Sequence, residues 1–138
     1  MSSKSKKNKD VLLQVKDLTV GFPIHGGIFM RQVGLVKAVD GVSFSVRRGE
    51  TLGLVGESGC GKSTTGKACI NLLRPTVPGV LLGGEVIYHS DDGPVNLQNL
   101  STHGMRAYRD KIQMIFQDPY SSLNPRLTVG KIIEEPLL

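Results

Sequence analysis

The sequence predicts an α/β fold on three observations. Apolar residues alternate along its first part, a continuous apolar run then enters a glycine-rich segment, and a helical segment leaves it. At 138 residues the chain fits one domain or part of one. With 39% apolar and 21% charged residues it has a globular composition, and no apolar run approaches the roughly 20 residues of a membrane span.

The net charge is +5, but Met1–Asp10 holds four lysines against one aspartate, so most of the basicity lies in a tail. Residues 1–10 are expected to be a disordered, solvated leader, because they cannot bury enough apolar surface to order themselves. A nucleic-acid arm is the disfavoured alternative, and no nucleic-acid partner is assigned. The tail lacks the apolar core of a secretory signal, which predicts a cytoplasmic protein. Cys60 and Cys69 form no C-x-x-C pair, and His25, His89 and His103 do not join them at metal-ligand spacing.

Residues 11–138 form the expected domain. Leu13, Val15, Leu18, Val20 and Phe22 predict a half-buried strand, with Lys16-Asp17 as an irregularity and Pro23 as its end. Ile24–Val36 has no period and is expected to be a surface loop or insertion. Val42, Phe44 and Val46 resume the alternation, Arg47–Glu50 is a turn, and Thr51–Val55 reads as a buried strand. A helix is expected from Lys62 to Leu73, broken by Pro75 and Pro78. Glu85–Tyr88 is the next strand and Asp91–Pro94 a turn. Ser101 caps a short helix through Arg109, Ile112–Phe116 is a further strand, and Thr128 caps a helix carrying Val129, Ile132 and Ile133.

Gly56-Glu57-Ser58-Gly59-Cys60-Gly61-Lys62-Ser63 fits G-x-x-x-x-G-K-[ST] at every fixed position, between a predicted strand and a predicted helix. A triphosphate needs many inward-pointing donors and a backbone free to curl around it. The glycines permit that curl, and the helix N-terminus adds about half a positive charge. Lys62 is the group expected to reach the β- and γ-phosphates, and the Ser63 hydroxyl is expected to ligate Mg2+. Thr64 and Thr65 read as structural. Cys60 fills a variable position and is expected to be sensitive to oxidation without being catalytic. A plain glycine turn is the bland alternative, which the complete pattern disfavours.

The phrase Phe116-Gln117-Asp118-Pro119-Tyr120-Ser121-Ser122-Leu123-Asn124-Pro125-Arg126 resembles the Q-loop of ABC ATPases. With Ala38-Val39-Asp40-Gly41-Val42-Ser43-Phe44 and Gly53–Thr64, the chain from about Leu12 to Leu138 is similar to the ATP-binding subunits of bacterial dipeptide and oligopeptide importers. The resemblance implies a P-loop NTPase fold of ABC ATPase type with an N-terminal antiparallel β subdomain, binding ATP and Mg2+. It implies transmembrane permease subunits and a second ATP-binding subunit as partners, and a place on the inner face of the cell membrane through them.

By the same resemblance Gln117 approaches Mg2+ and the attacking water, although by itself it reads as a polar strand end or a turn. Phe22 is the candidate to stack on adenine, with burial in the core as the alternative. The family's signature motif, its Asp-Glu strand end and its switch histidine are absent after Gln117. Leu82-Gly83-Gly84-Glu85 lacks the serine of the signature and precedes Gln117, as do His89, His103 and Asp91-Asp92. The expectation is therefore an N-terminal half, truncated before the hydrolytic residues, that binds ATP without turning it over. A remnant without turnover and the ATPase of a nickel or small-solute importer are the alternatives. A guanine-specific N-K-x-D motif does not follow Ser63.

Overall fold

The computed structural model describes residues 10–26, 31–117 and 123–134. Residues 1–9 of the expected tail, the Gly27–Met30 part of the expected loop and the Asp118–Ser122 part of the Q-loop phrase lie outside them.

Strand β1, Val11–Gly26, and strand β2, Arg31–Arg47, form a long antiparallel hairpin. Helices α1, Lys62–Cys69, and α2, Leu73–Thr76, follow, then β3, Leu81–Ser90, and β4, Gly93–Asn96. Two 3-10 helices, Leu97–Asn99 and Gly104–Tyr108, and a final helix α3, Val129–Glu134, complete the described elements. The sheet is antiparallel, in the order β2-β1-β3-β4. This is the antiparallel β subdomain that the sequence led us to expect.

The Lys16-Asp17 irregularity is a bulge that keeps the core in phase. Val15 and Leu18 are both buried, yet an odd spacing would put them on opposite faces of a regular strand. The register shifts between them on both sides of β1, and Asp17 takes φ 47°. Ser43 Oγ accepts the Asp17 N–H at 2.8 Å and donates to its carboxylate at 3.3 Å. On β3 the facing residue is Gly84 at φ 82°, where a Cβ would overlap the carbonyls of Lys16 and Asp17. Val15, Leu18, Val20, Val86, Leu97 and Met105 then form the most deeply buried layer, joined by Ala68, Cys69 and Leu73 from the helices.

Four expectations are corrected. Pro23 does not end β1, and Ile24–Gly26 with Arg31–Val36 extend the hairpin instead of forming a loop. Pairing with β3 stops at Gly21↔Leu81, so Pro23 falls where one edge of β1 is free and its missing N–H is tolerated. The helix expected to run to Leu73 stops at Cys69, because Asn71 adopts φ 50°. The turn is shorter than expected, Asp91-Asp92, since Gly93 and Pro94 already pair in β4.

The largest correction concerns Thr51–Val55 and Ile112–Phe116, which are not strands. Their apolar patterns are those of buried strands, but no described segment pairs with them. Val55 is 90% and Ile115 95% exposed. Thr128 is the cap expected of it, its Oγ1 accepting the Lys131 N–H at 3.4 Å, whereas Ser101 is not: its Oγ accepts the Gly104 N–H at 3.1 Å in a turn, and His103 is the N-cap residue of the 3-10 helix that follows.

Candidate functional site

Three pieces of chain meet at the start of α1. Gly61 is its N-cap residue, in the left-handed conformation at φ 92°. A Cβ at Gly61 would overlap the carbonyl oxygen of Ala38. That carbonyl is placed by a second bulge: Val20 pairs with Val39 and Gly21 with Lys37, leaving Ala38 as the extra residue of β2. The β sheet therefore touches the glycine loop through the main chain, and only glycine fits at the contact.

Lys62 is anchored before any ligand arrives. Its Nζ donates to the carbonyls of Gly56, at 2.8 Å, and of Glu57, and lies 3.5 Å from Cys60 Sγ. Two strong bonds fix the ammonium across the loop, and its third proton meets only a weak sulfur acceptor. That proton is the one available to an anion. Cys60 Sγ also occupies the space beside Gly56, 2.6 Å from where a Cβ would stand. The Thr65 hydroxyl donates to Gly61 O at 2.9 Å and is buried, which suits the structural role expected of it.

A cavity of about 430 Å3 opens beside the loop, lined by Ala38, Ser58, Gly59, Gly61, Lys62, Ser63, Thr64 and Gln117. The expected phosphate-loop residues and Gln117 thus share one space, although they are far apart in sequence. Gly56, Glu57 and Cys60 do not line it, and meet Lys62 Nζ instead. Phe22 is not brought to it: its ring is half-buried and packs against the core cluster. Ala38 was missed in the sequence, since nothing in its spacing marks a bulge. No group of histidine, cysteine and acidic residues that could hold a metal occurs among the described residues. Cys69, on the buried side of α1, has its thiol pushed up to about 11 by burial and is no nucleophile.

The profile of the family described as ABC transporter matches residues 39–135. This chain belongs to the ABC transporter family. The matched region takes in the whole glycine loop, α1 and Gln117. The oligopeptide transport ATP-binding protein AppF of Bacillus subtilis (strain 168) is 50% identical over 130 residues, covering 94% of this chain and 36% of that protein. The dipeptide transport ATP-binding protein DppF of Escherichia coli (strain K12) is 46% identical over 138 residues, 100% of this chain and 38% of that protein. OppF, the oligopeptide transport ATP-binding protein of Salmonella typhimurium, is 46% identical over 133 residues, 95% and 37% respectively. The ABC chain described here spans little more than a third of the length of these relatives. No helix among its described residues is long and apolar enough to cross a membrane.

Proposed function

We propose that this chain carries the nucleotide-binding portion of the ATP-binding subunit of a peptide importer, and that ATP with Mg2+ binds in the cavity beside Gly61. The observation that carries the reading is the shared lining of that cavity by Lys62, Ser63, Thr64 and Gln117. The residues fit the ligand. The N-terminus of α1 faces the cavity, and an anchored ammonium and the hydroxyl residues Ser58, Ser63 and Thr64 line it. Gly56, Glu57, Ser58, Gly59 and Cys60 complete the loop, Lys62 holds the β- and γ-phosphates, and Ser63 and Gln117 are the groups that would hold Mg2+. When bound, Mg2+ neutralises charge on the phosphate oxygens.

Permease subunits and a second ATP-binding subunit are the partners that the relatives' names support, with the subunit held at the inner face of the cell membrane through them. The names favour peptides over nickel or another small solute as cargo. No carboxylate lines the cavity among the described residues, and phosphoryl transfer depends on positioned charge. The 138-residue chain is therefore expected to bind ATP without turning it over.

The test is titration with ATP in the presence of Mg2+, comparing wild type with Lys62→Ala. Losing a charge-assisted bond of about 1.5 to 3 kcal/mol corresponds to a roughly 10- to 150-fold weaker affinity. Equal binding by the two proteins would refute the site.

A further inference from the structure

Gln117 reaches the cavity from a segment that no ladder holds, because Gln113–Phe116 pair with no strand among the described residues. Something else must fix its distance from the glycine loop. A cavity of about 360 Å3 separates Ile70 and Leu72, just beyond α1, from Ile112–Met114 and Phe116. Arg109 crosses this gap and donates from Nη1 to the carbonyl of Ile70 at 2.8 Å. Among the described residues it makes the hydrogen bond between the end of α1 and the segment leading to Gln117.

The acceptor is made available by the fold. Asn71 at φ 50° stops the helix, so the Ile70 carbonyl is not consumed by a further turn. The carbonyl end of a helix also carries partial negative charge, which suits a guanidinium. Asn71 Nδ2 donates to the carbonyls of Leu97 and Leu100, and Gln98 Nε2 to Ala68 O, so the stretch from which Arg109 reaches is itself fastened to α1. On the far side of Arg109, Ile112 packs on the core, and the Met114 methyl lies over Gly66, 3.7 Å from where a Cβ would stand.

From this geometry we infer that Arg109 is a positioning residue that sets Gln117 against the glycine loop through the Ile70 carbonyl. It touches no ligand and acts through Gln117. The inference rests on the nucleotide reading above for its consequence, but not for its geometry.

The experiment has a ligand-free and a ligand-bound part, both on the full chain. Without ligand, Arg109→Ala is expected to raise amide hydrogen exchange at Lys111 and Ile112, whose N–H groups bond to Tyr108 O beside Arg109, about 10-fold while leaving Thr65, bonded to Gly61 O, unchanged. With ATP, loss of such an outer support is expected to weaken Mg2+-dependent affinity by about 10-fold. The double variant R109A/Q117A should then be no weaker than Gln117→Ala alone. Arg109→Lys, which keeps a donor, should recover most of both effects. Should Arg109→Ala fail to fold, Arg109→Gln serves in the same cycle. Unchanged exchange at Lys111 and Ile112, or multiplicative losses in the double variant, would overturn the inference. A wild-type chain that binds no ATP would refute the nucleotide reading instead, and the exchange comparison would still decide what Arg109 holds.

Discussion

Gly61 meets three demands at once: a left-handed backbone, close approach to Ala38 O, and the N-cap of α1. Gly61→Ala carries a left-handed penalty of about 1 to 2 kcal/mol, and its methyl must also push the β2 bulge away. Denaturant unfolding should register a loss at least that large, together with weakened ATP binding; an unchanged midpoint would contradict the contact. Cys69 makes a different residue-scale prediction. Burial pushes its thiol up to about 11 from the ordinary 9.0, so the folded chain holds that proton more tightly. Its contribution to stability is complete below pH 9 and is lost as pH rises toward 11, on the order of 2 kcal/mol. Urea unfolding of wild type and Cys69→Ala at pH 8 and pH 11 should show wild type losing the larger share, and parallel losses would exclude burial of a neutral thiol. The motif glycines were legible because a phosphate loop fixes their spacing. Ala38 was not, because a bulge has no spacing of its own.

The elements that depend on local chemistry were the easier ones to read. Thr128 was recognisable as a cap, and the Lys16-Asp17 irregularity stood out because the apolar phase breaks there. The end of α1 was harder, since Asn71 is an ordinary helical residue until its side chain finds the carbonyls of Leu97 and Leu100, far along the chain. Replacing Asn71 tests that account. Asn71→Gly keeps the left-handed backbone but removes both Nδ2 donations, to the carbonyls of Leu97 and Leu100, so a loss of about 1 to 3 kcal/mol in unfolding free energy is expected. A neutral result would mean that the backbone conformation alone ends the helix. The β1–β2 hairpin was misread for a related reason: Gly26, Gly34 and Pro23 are loop-forming residues in isolation, and pairing with a partner strand overrides them.

At the scale of the whole molecule, Thr51–Val55 and Ile112–Phe116 leave large apolar side chains in water, including Leu52, Leu54, Val55, Ile115 and Phe116. Unpaired extended segments of this kind are templates for association. The chain is expected to self-associate with rising concentration in light scattering, and a Val55→Thr, Ile115→Lys variant should remain dispersed to higher concentration. A wild-type chain that stays monomeric across the range would show that these segments are covered in solution.

The sequence by itself determined the glycine-rich loop, the helix that follows it and the family likeness, because each is a contiguous pattern with a local physical cause. Tertiary structure decided the rest. Whether an apolar run becomes a strand depends on a neighbour to pair with, and the sequence of Thr51–Val55 cannot say whether one is present. The cavity lined by both Gln117 and Ser63, the Ala38 contact with Gly61, and the Arg109 bond to Ile70 all join residues distant in the chain. Such contacts are set by how bulges and packed side chains bring elements together, which no local pattern records.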